Sequence, residues 1–205
     1  MRTGRGSRLA AAVLALLAGV ALLLQAWLTL VLVRGQGGGV LQALGVLAGY
    51  FTILSNAFVL LTAAAQAAAP GAWLARPSVR GCATTVIVLV GLGYHLLLRE
   101  VWDPQGWQRV ADDLLHYAVP IAALLHWLVF PPRERLPATA PLRWLVYPLA
   151  YFVWVLVRGA WLGTYPYPFV DVPALGYARV ALNAAGLSLV FLAAGALLRR
   201  VAARR

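Results

Sequence analysis

The chain has 205 residues, of which 62% are hydrophobic and only 11% are charged, and its formal net charge is +11. This composition excludes an ordinary soluble domain and indicates a polytopic membrane protein. Nucleic-acid binding is excluded as well, because the arginines lie in short loops between apolar runs and form no soluble basic face.

Six apolar segments are long enough to cross a bilayer, which takes about 20 helical residues. The sequence therefore predicts an all-α protein with one six-helix transmembrane domain over residues 1–205 and no repeat of fixed period. Residues 40–46 are expected to be an interfacial segment ahead of the second span. The first span is too long for a signal-peptide core, so we expect a retained anchor. The predicted spans are about 9–33, 47–68, 81–98, 113–130, 142–163 and 174–198.

Charge predicts the orientation of these spans. Twelve of the 17 arginines fall at the termini and in the second and fourth loops, and five of the six acidic residues fall on the opposite side. Because positively charged loops stay in the cytoplasm, both termini are predicted to be cytoplasmic. The positive charge is all arginine, which is typical of GC-rich bacterial genomes, so we expect the cell (inner) membrane. Nothing in the sequence indicates an oligomeric state.

The stretch DDLLHYAVP, residues 112 to 120, places ionisable groups at the outer mouth of the fourth span. Asp112 and Asp113 precede His116 by four and three residues, which puts all three on one side of a helix. Ionisable groups at membrane depth are costly and usually mark a functional site. The aspartates could instead cap the helix, and His116 could be a structural hydrogen-bonding residue.

Other spans deliver polar groups to the same predicted depth. On the second span Thr52, Ser55 and Asn56 share one face through their i, i+3, i+4 spacing. The remaining members of this outer layer are His95, Arg158 with Tyr151 and Trp154 below it, and Arg179 with Asn183.

A hydroxyl, an imidazole and a carboxylate at one depth can act as nucleophile, base and orienting group. We therefore expect Thr52 to attack, His116 to take its proton, and Asp112 or Asp113 to orient the ring. Asn56, Asn183 or His95 could donate to an oxyanion. An anionic head group could be bound by Arg99, Arg158, Arg179 and Tyr151.

Several alternatives stay open at this stage. Thr52 and Ser55 could simply bond to carbonyls one turn back, as hydroxyls in membrane helices often do. The outer polar layer could belong to a non-catalytic binding or transport protein that recognises an anionic amphiphile, or the chain could be a structural subunit. The three histidines lack metal-site spacing, Cys82 has no partner thiol, and no nucleotide-binding or GxSxG motif is present, so we expect neither a metal nor a cofactor.

Several stretches resemble an uncharacterised family of prokaryotic six-transmembrane proteins. They are YFTILSN (50 to 56), GYHLLLRE (93 to 100), WDPQGW (102 to 107), DDLLHYAVP (112 to 120) and the run from 147 to 172 that ends in TYPYPFVDV. More distantly, the layout is similar to the androgen-induced and androgen-dependent TFPI-regulating proteins. Those are integral-membrane threonine hydrolases that cleave fatty acid esters of hydroxy fatty acids.

The resemblance implies a role for particular residues. The threonine of that family falls on Thr52 and its histidine on His116, while Tyr167, Pro168 and Phe169 match a YPF-like segment. It implies a threonine-dependent ester hydrolase whose substrate is a membrane lipid or fatty-acyl ester. The match around His116 is loose, and the aspartates and Arg158 belong to the prokaryotic pattern, so the substrate is the least defined part of this expectation.

Overall fold

A computed structural model describes residues 4–132 and 134–203 of the chain. Arg2, Arg133, Arg204 and Arg205, which enter the predicted charge asymmetry, lie outside these residues. The described residues contain helices but no strand. The helices are α1 (Arg5–Gly35), α2 (Val40–Leu47), α3 (Phe51–Ala68), α4 (Pro77–Gly93), α5 (Gly106–Asp113), α6 (Val119–Val129), α7 (Ala140–Trp144), α8 (Val146–Leu162) and α9 (Val172–Ala203).

Five helical segments of the described chain are long and apolar enough to cross a membrane. They are Arg5–Gly35, Phe51–Ala68, Pro77–Leu98, Ala140–Leu162 and Val172–Ala203. The fourth predicted span corresponds to the helical stretch 106–129, which is more polar than these five because it carries two aspartates and two histidines. The all-α class and several apolar spans are therefore found, and the sixth span stays a prediction.

Hydrogen bonds between helix ends show how the bundle is arranged. Arg8 donates to the carbonyl of Ala67 at 2.8 Å, Arg80 to that of Phe130 at 3.4 Å, and Trp127 to that of Leu198 at 3.2 Å. The start of α1 and the ends of α3, α6 and α9 therefore lie at one end of the bundle, called here the terminal end. The start of α3 and the junction of α5 with α6 lie at the opposite end, called the site end.

Small residues let the central helices approach one another closely. Ala11, Ala18 and Ala21 of α1 are fully buried, and Ala63 and Ala83 are nearly so. Large apolar side chains point outward instead, as shown by Leu23 at 73% and Trp161 at 85% exposure. Small residues inside and large apolar residues outside are the pattern of a bundle packed in lipid rather than in water.

Two short π-helical segments interrupt the α-helices at the site end, Tyr94–Leu98 after α4 and Leu114–Ala118 between α5 and α6. In the second, the Val119 amide donates to the carbonyl of Leu114, five residues back. Pro120 has no amide hydrogen to offer, which favours such an irregular turn. Single π turns are frequently found at functional sites.

Gly91 allows α4 to approach the second π-helical segment. A Cβ atom at this position would lie 2.9 Å from the carbonyl oxygen of His116 and 3.1 Å from the Cβ of Pro120. Because a backbone carbonyl cannot swing away as a flexible side chain can, a methyl group here would force the helices apart.

We therefore predict that Gly91→Ala lowers the free energy of unfolding in detergent by about 1–3 kcal/mol, the usual cost of overpacking. Gly93→Ala is the matched control, because a Cβ there meets no atom within 4 Å. Thermal unfolding followed by tryptophan fluorescence measures both. Equal stability of the two variants would contradict the proposed close approach.

Candidate active site

Thr52 and His116 are brought within hydrogen-bonding distance at the site end. Thr52 is the second residue of α3 and is only 8% exposed. Its Oγ1 lies 3.2 Å from Nε2 of His116, which comes from the π-helical segment 114–118. The two residues are 64 positions apart in the chain, so only the tertiary fold brings them together.

Asp112 orients the His116 ring through both its backbone and its side chain. Nδ1 of His116 lies 3.1 Å from the backbone carbonyl oxygen of Asp112 and 3.2 Å from its Oδ1. A carbonyl oxygen can only accept, so Nδ1 carries the hydrogen in this contact. In the neutral imidazole Nε2 then carries the lone pair, and it accepts from the hydroxyl of Thr52.

Tyr94 holds the same imidazole from its flat face. The two rings are stacked with their centroids 4.0 Å apart and an angle of 17° between their planes. The phenol of Tyr94 also interacts with the carboxylate of Asp112. Oδ2 of Asp112 nevertheless has no partner of good hydrogen-bond geometry among the described residues, although the residue is only 4% exposed.

Asn56 ties α3 to the irregular segment that carries His116. The Nδ2 atom of this fully buried residue donates to the carbonyl of Thr52 at 2.8 Å and to that of Leu115 at 3.3 Å. In a regular α-helix, the amide of Val119 would serve Leu115, but here it donates to Leu114. The next amide would be that of Pro120, which has none. The side chain of Asn56 thus supplies to the carbonyl of Leu115 the hydrogen bond that no backbone amide provides.

The loop after α8 contacts the start of α3. The backbone amide of Thr52 donates to the hydroxyl of Tyr167 at 3.4 Å. Tyr167 stacks on Phe169 with the ring planes only 4° apart, and its burial raises the pKa of its phenol. Asn183 of α9 donates to the carbonyl of Phe169 at 2.9 Å and so fixes this loop. The resemblance marked the YPF-like segment but assigned it no chemistry.

Tyr151 and Arg158 of α8 bind backbone rather than substrate. They form a row with Trp154 along one face of the helix, and the three side chains donate to carbonyls in the last turn of α2 and in the turn that follows it. Tyr151 reaches Gly49 at 2.9 Å, Trp154 reaches Ala48 at 2.9 Å, and Arg158 reaches Gly45 at 3.4 Å. This row fixes the turn between α2 and α3, directly ahead of Thr52.

The remaining candidates lie away from Thr52. Asp113 pairs with Arg109 at 3.1 Å on the exposed side of α5, and this hydrogen bond raises the pKa of the arginine. Arg99 pairs with Glu100 at 2.9 Å and exposed His95 contacts Tyr117 at 3.3 Å. Arg179 lies on the exposed surface of α9. The sequence placed these groups at one depth, but depth does not decide which face of a helix they occupy.

A cavity of about 360 Å³ opens beside Thr52, His116 and Tyr167. In the described chain, no arginine, aspartate or glutamate lines it. Its other walls are mostly apolar, and Leu96 and Val190 belong at the same time to the exposed outer surface, at 73% and 54% exposure. The cavity therefore opens sideways, between the end of α4 and the middle of α9.

No protein-family model matches the chain, and no curated protein or solved structure is similar enough to match it. Among the described residues, no group of three or more histidine, cysteine or acidic side chains could hold a metal ion. The site consists of the hydroxyl of Thr52, the imidazole of His116, the carboxylate of Asp112 and the phenols of Tyr94 and Tyr167, and these groups determine its chemistry.

We predict that Asn56→Leu lowers the free energy of unfolding by about 1–3 kcal/mol, because the buried carbonyl of Leu115 loses its donor. Thr62→Val is the control on the same helix. The hydroxyl of Thr62 donates only to carbonyls of its own helix, at 3.0 and 3.1 Å, so its loss should change stability by less than about 0.5 kcal/mol. Chemical denaturation in detergent compares them, and a stable Asn56→Leu would refute this role.

Proposed function

We propose that the chain is an intramembrane hydrolase of lipid or fatty-acid esters, with Thr52 as nucleophile, His116 as general base and Asp112 as the group that orients the base. One observation carries the proposal: Oγ1 of Thr52 lies 3.2 Å from Nε2 of His116, whose Nδ1 lies 3.2 Å from Oδ1 of Asp112. This is the arrangement of a nucleophile, a base and an orienting carboxylate. It also agrees with what the resemblance to the threonine hydrolases implies.

In the first half of the reaction, Oγ1 of Thr52 attacks the acyl carbonyl carbon while Nε2 of His116 takes the hydroxyl proton. The imidazolium is stabilised by Asp112 and then gives this proton to the departing alkoxide, which leaves as an alcohol. The acyl group is now an ester of Thr52. Water attacks that ester with His116 again acting as base, which releases the fatty acid and restores the threonine.

The cavity fits the acyl part of such a substrate. Its volume of about 360 Å³ falls in the range of small-molecule sites, and its walls are mostly apolar. Because it opens sideways, an acyl chain could enter from the bilayer between α4 and α9 without crossing water. The ester carbonyl would then stop at the polar wall of the cavity, beside Oγ1 of Thr52.

The proposed topology has six spans in the cell (inner) membrane, with both termini in the cytoplasm. The start of α1 bonds to the end of α3, and the end of α6 bonds to the end of α9, which is consistent with an even number of spans. In this orientation the terminal end, which is rich in arginine, faces the cytoplasm, and the site end faces outward.

A non-catalytic protein that binds or transports an anionic amphiphile is the alternative. It needs cations at the ligand, yet Arg99, Arg158 and Arg179 do not line the cavity. Arg158 donates to the carbonyl of Gly45 and Arg99 pairs with Glu100. The observations therefore favour the hydrolase.

The nucleophile can be tested by covalent labelling. We expect a long-chain fluorophosphonate to label the wild type and Thr52→Ser, but not Thr52→Ala, because only the first two have a hydroxyl beside His116. Ser188→Ala is the control, since Ser188 also lines the cavity but donates to the carbonyl of Ala184 at 2.7 Å. Equal labelling of Thr52→Ala and wild type would remove Thr52 from the mechanism.

The two adjacent aspartates provide a second test. We predict that Asp112→Asn lowers kcat for a fluorogenic acyl ester by about 10²-fold, a typical contribution of acid–base catalysis, because the imidazolium loses its carboxylate. Asp113→Asn removes only a solvent-exposed pair with Arg109, which water screens, and should keep near wild-type kcat. The opposite ranking would assign the orienting role to Asp113.

A further inference from the structure

Ester hydrolysis by Thr52 requires a donor for the negative charge that develops on the acyl oxygen. The sequence suggested Asn56, Asn183 or His95 for this task. Each of them is engaged elsewhere: Asn56 and Asn183 donate to backbone carbonyls, and His95 lies on the exposed surface beside Tyr117. The donor has to come from another residue next to Oγ1 of Thr52.

We infer that Tyr167 is that donor, and that its hydroxyl binds the oxyanion of the acyl group under attack by Thr52. The inference rests on the proposed hydrolase function. It assigns a catalytic role to a residue of the loop between α8 and α9, to which the spacing of the sequence gave none.

The position of the hydroxyl supports this role. Tyr167 lines the cavity next to Thr52 and accepts a hydrogen bond from the backbone amide of Thr52 at 3.4 Å. The backbone of Phe51 and the phenol of Tyr151 interact with it too. Its oxygen therefore faces the amides at the start of α3. The hydroxyl of Tyr151 donates to the carbonyl of Gly49, so toward Tyr167 it can only accept, and the hydroxyl hydrogen of Tyr167 can rotate from there to the cavity. That hydrogen is available for an atom in the cavity.

The amides that approach the phenol oxygen also strengthen it as a donor. Phe51 and Thr52 are the first two residues of α3, whose amides have no partner within the helix. The start of a helix carries partial positive charge, which favours an anion nearby. A hydroxyl that accepts from such amides is polarised and donates more strongly through its own hydrogen. The amides at the helix start therefore make the hydroxyl of Tyr167 a stronger hydrogen-bond donor to the acyl oxygen.

The phenol is held in place and stays protonated, as an oxyanion donor has to be. Its ring stacks on Phe169 at 5.2 Å between centroids and meets the ring of Tyr50 edge-on at 6.2 Å. Burial raises the pKa of Tyr167, so the hydroxyl keeps its hydrogen over the physiological pH range. A preorganised neutral donor at a buried site needs no rearrangement during the reaction.

The test is Tyr167→Phe, which keeps the ring contacts and removes only the hydroxyl. With a nitrophenyl acyl ester in detergent micelles, we expect kcat to fall about 10²–10³-fold, as for loss of one oxyanion donor, with KM within a few-fold of wild type. Tyr117→Phe is the matched control, because its hydroxyl contacts only exposed His95 and should leave kcat unchanged.

A second measurement separates donation to the oxyanion from a structural effect. An alkyl trifluoromethyl ketone forms a tetrahedral adduct with an oxyanion, whereas the alkyl ether of the same chain length occupies the cavity without one. Tyr167→Phe should weaken inhibition by the ketone about 10²-fold and leave inhibition by the ether unchanged. Equal weakening of both, or of neither, overturns the inference. If Tyr167→Phe is too unstable to assay, Tyr167 can be replaced by p-aminophenylalanine, which keeps an N–H donor and should therefore keep inhibition by the ketone. Loss of ketone inhibition in that variant also overturns the inference.

Thr52→Ala distinguishes failure of the proposed function from failure of the role assigned to Tyr167. If it hydrolyses the ester at the wild-type rate, the proposed function fails and Tyr167 has no oxyanion to bind. If Thr52→Ala is inactive while Tyr167→Phe retains wild-type kcat and ketone inhibition, the function stands and the assignment of Tyr167 alone is wrong.

Discussion

In a bundle surrounded by lipid, every buried backbone amide and carbonyl needs a partner within the protein, and this constraint governs the whole site end. The chain departs from the regular α-helix there at the turn of 48–50 and at the π-helical segment 114–118. Carbonyls freed at both places are bound by side chains from other helices. Tyr151 and Trp154 of α8 serve the turn, and Asn56 of α3 serves the carbonyl of Leu115. Tertiary contacts therefore fix the irregular backbone.

The same contacts set the distance between the proposed nucleophile and base. Asn56 lies one helical turn after Thr52 and bonds to the carbonyl of Leu115, the residue before His116. A bond that satisfies a carbonyl thus also aligns α3 with the segment that presents the imidazole. The close approach of α4 at Gly91 supports this segment from its other side. Structural and chemical requirements meet in one small group of residues, so the geometry beside Thr52 cannot be altered independently of the packing.

Depth along a helix can be read from the sequence, but the face that a side chain occupies at an irregular turn cannot. Depth suggested Thr52, His116 and the two aspartates, and these do lie at one end of the bundle. Asp112 and Asp113 differ by one position, and in the structure Asp112 contacts His116 whereas Asp113 contacts Arg109, each four residues away. Arg158 shares the predicted depth, yet it bonds to a carbonyl 113 residues away in the chain. Tyr167 belongs to a proline-rich loop whose path no periodicity predicts.

The two reactants of the proposed hydrolysis arrive from different phases, and the site is placed between them. The cavity is apolar and opens between α4 and α9, where an acyl chain dissolved in the bilayer can enter. His116 is partly accessible, with 13% of its side chain exposed, and lies at the end of the bundle that carries the charged α4–α5 loop. A soluble enzyme would have to extract the chain from the membrane, and each Å² of apolar surface exposed to water on the way costs about 25 cal/mol. Here the chain stays in an apolar environment, so the binding energy can act on the ester group alone.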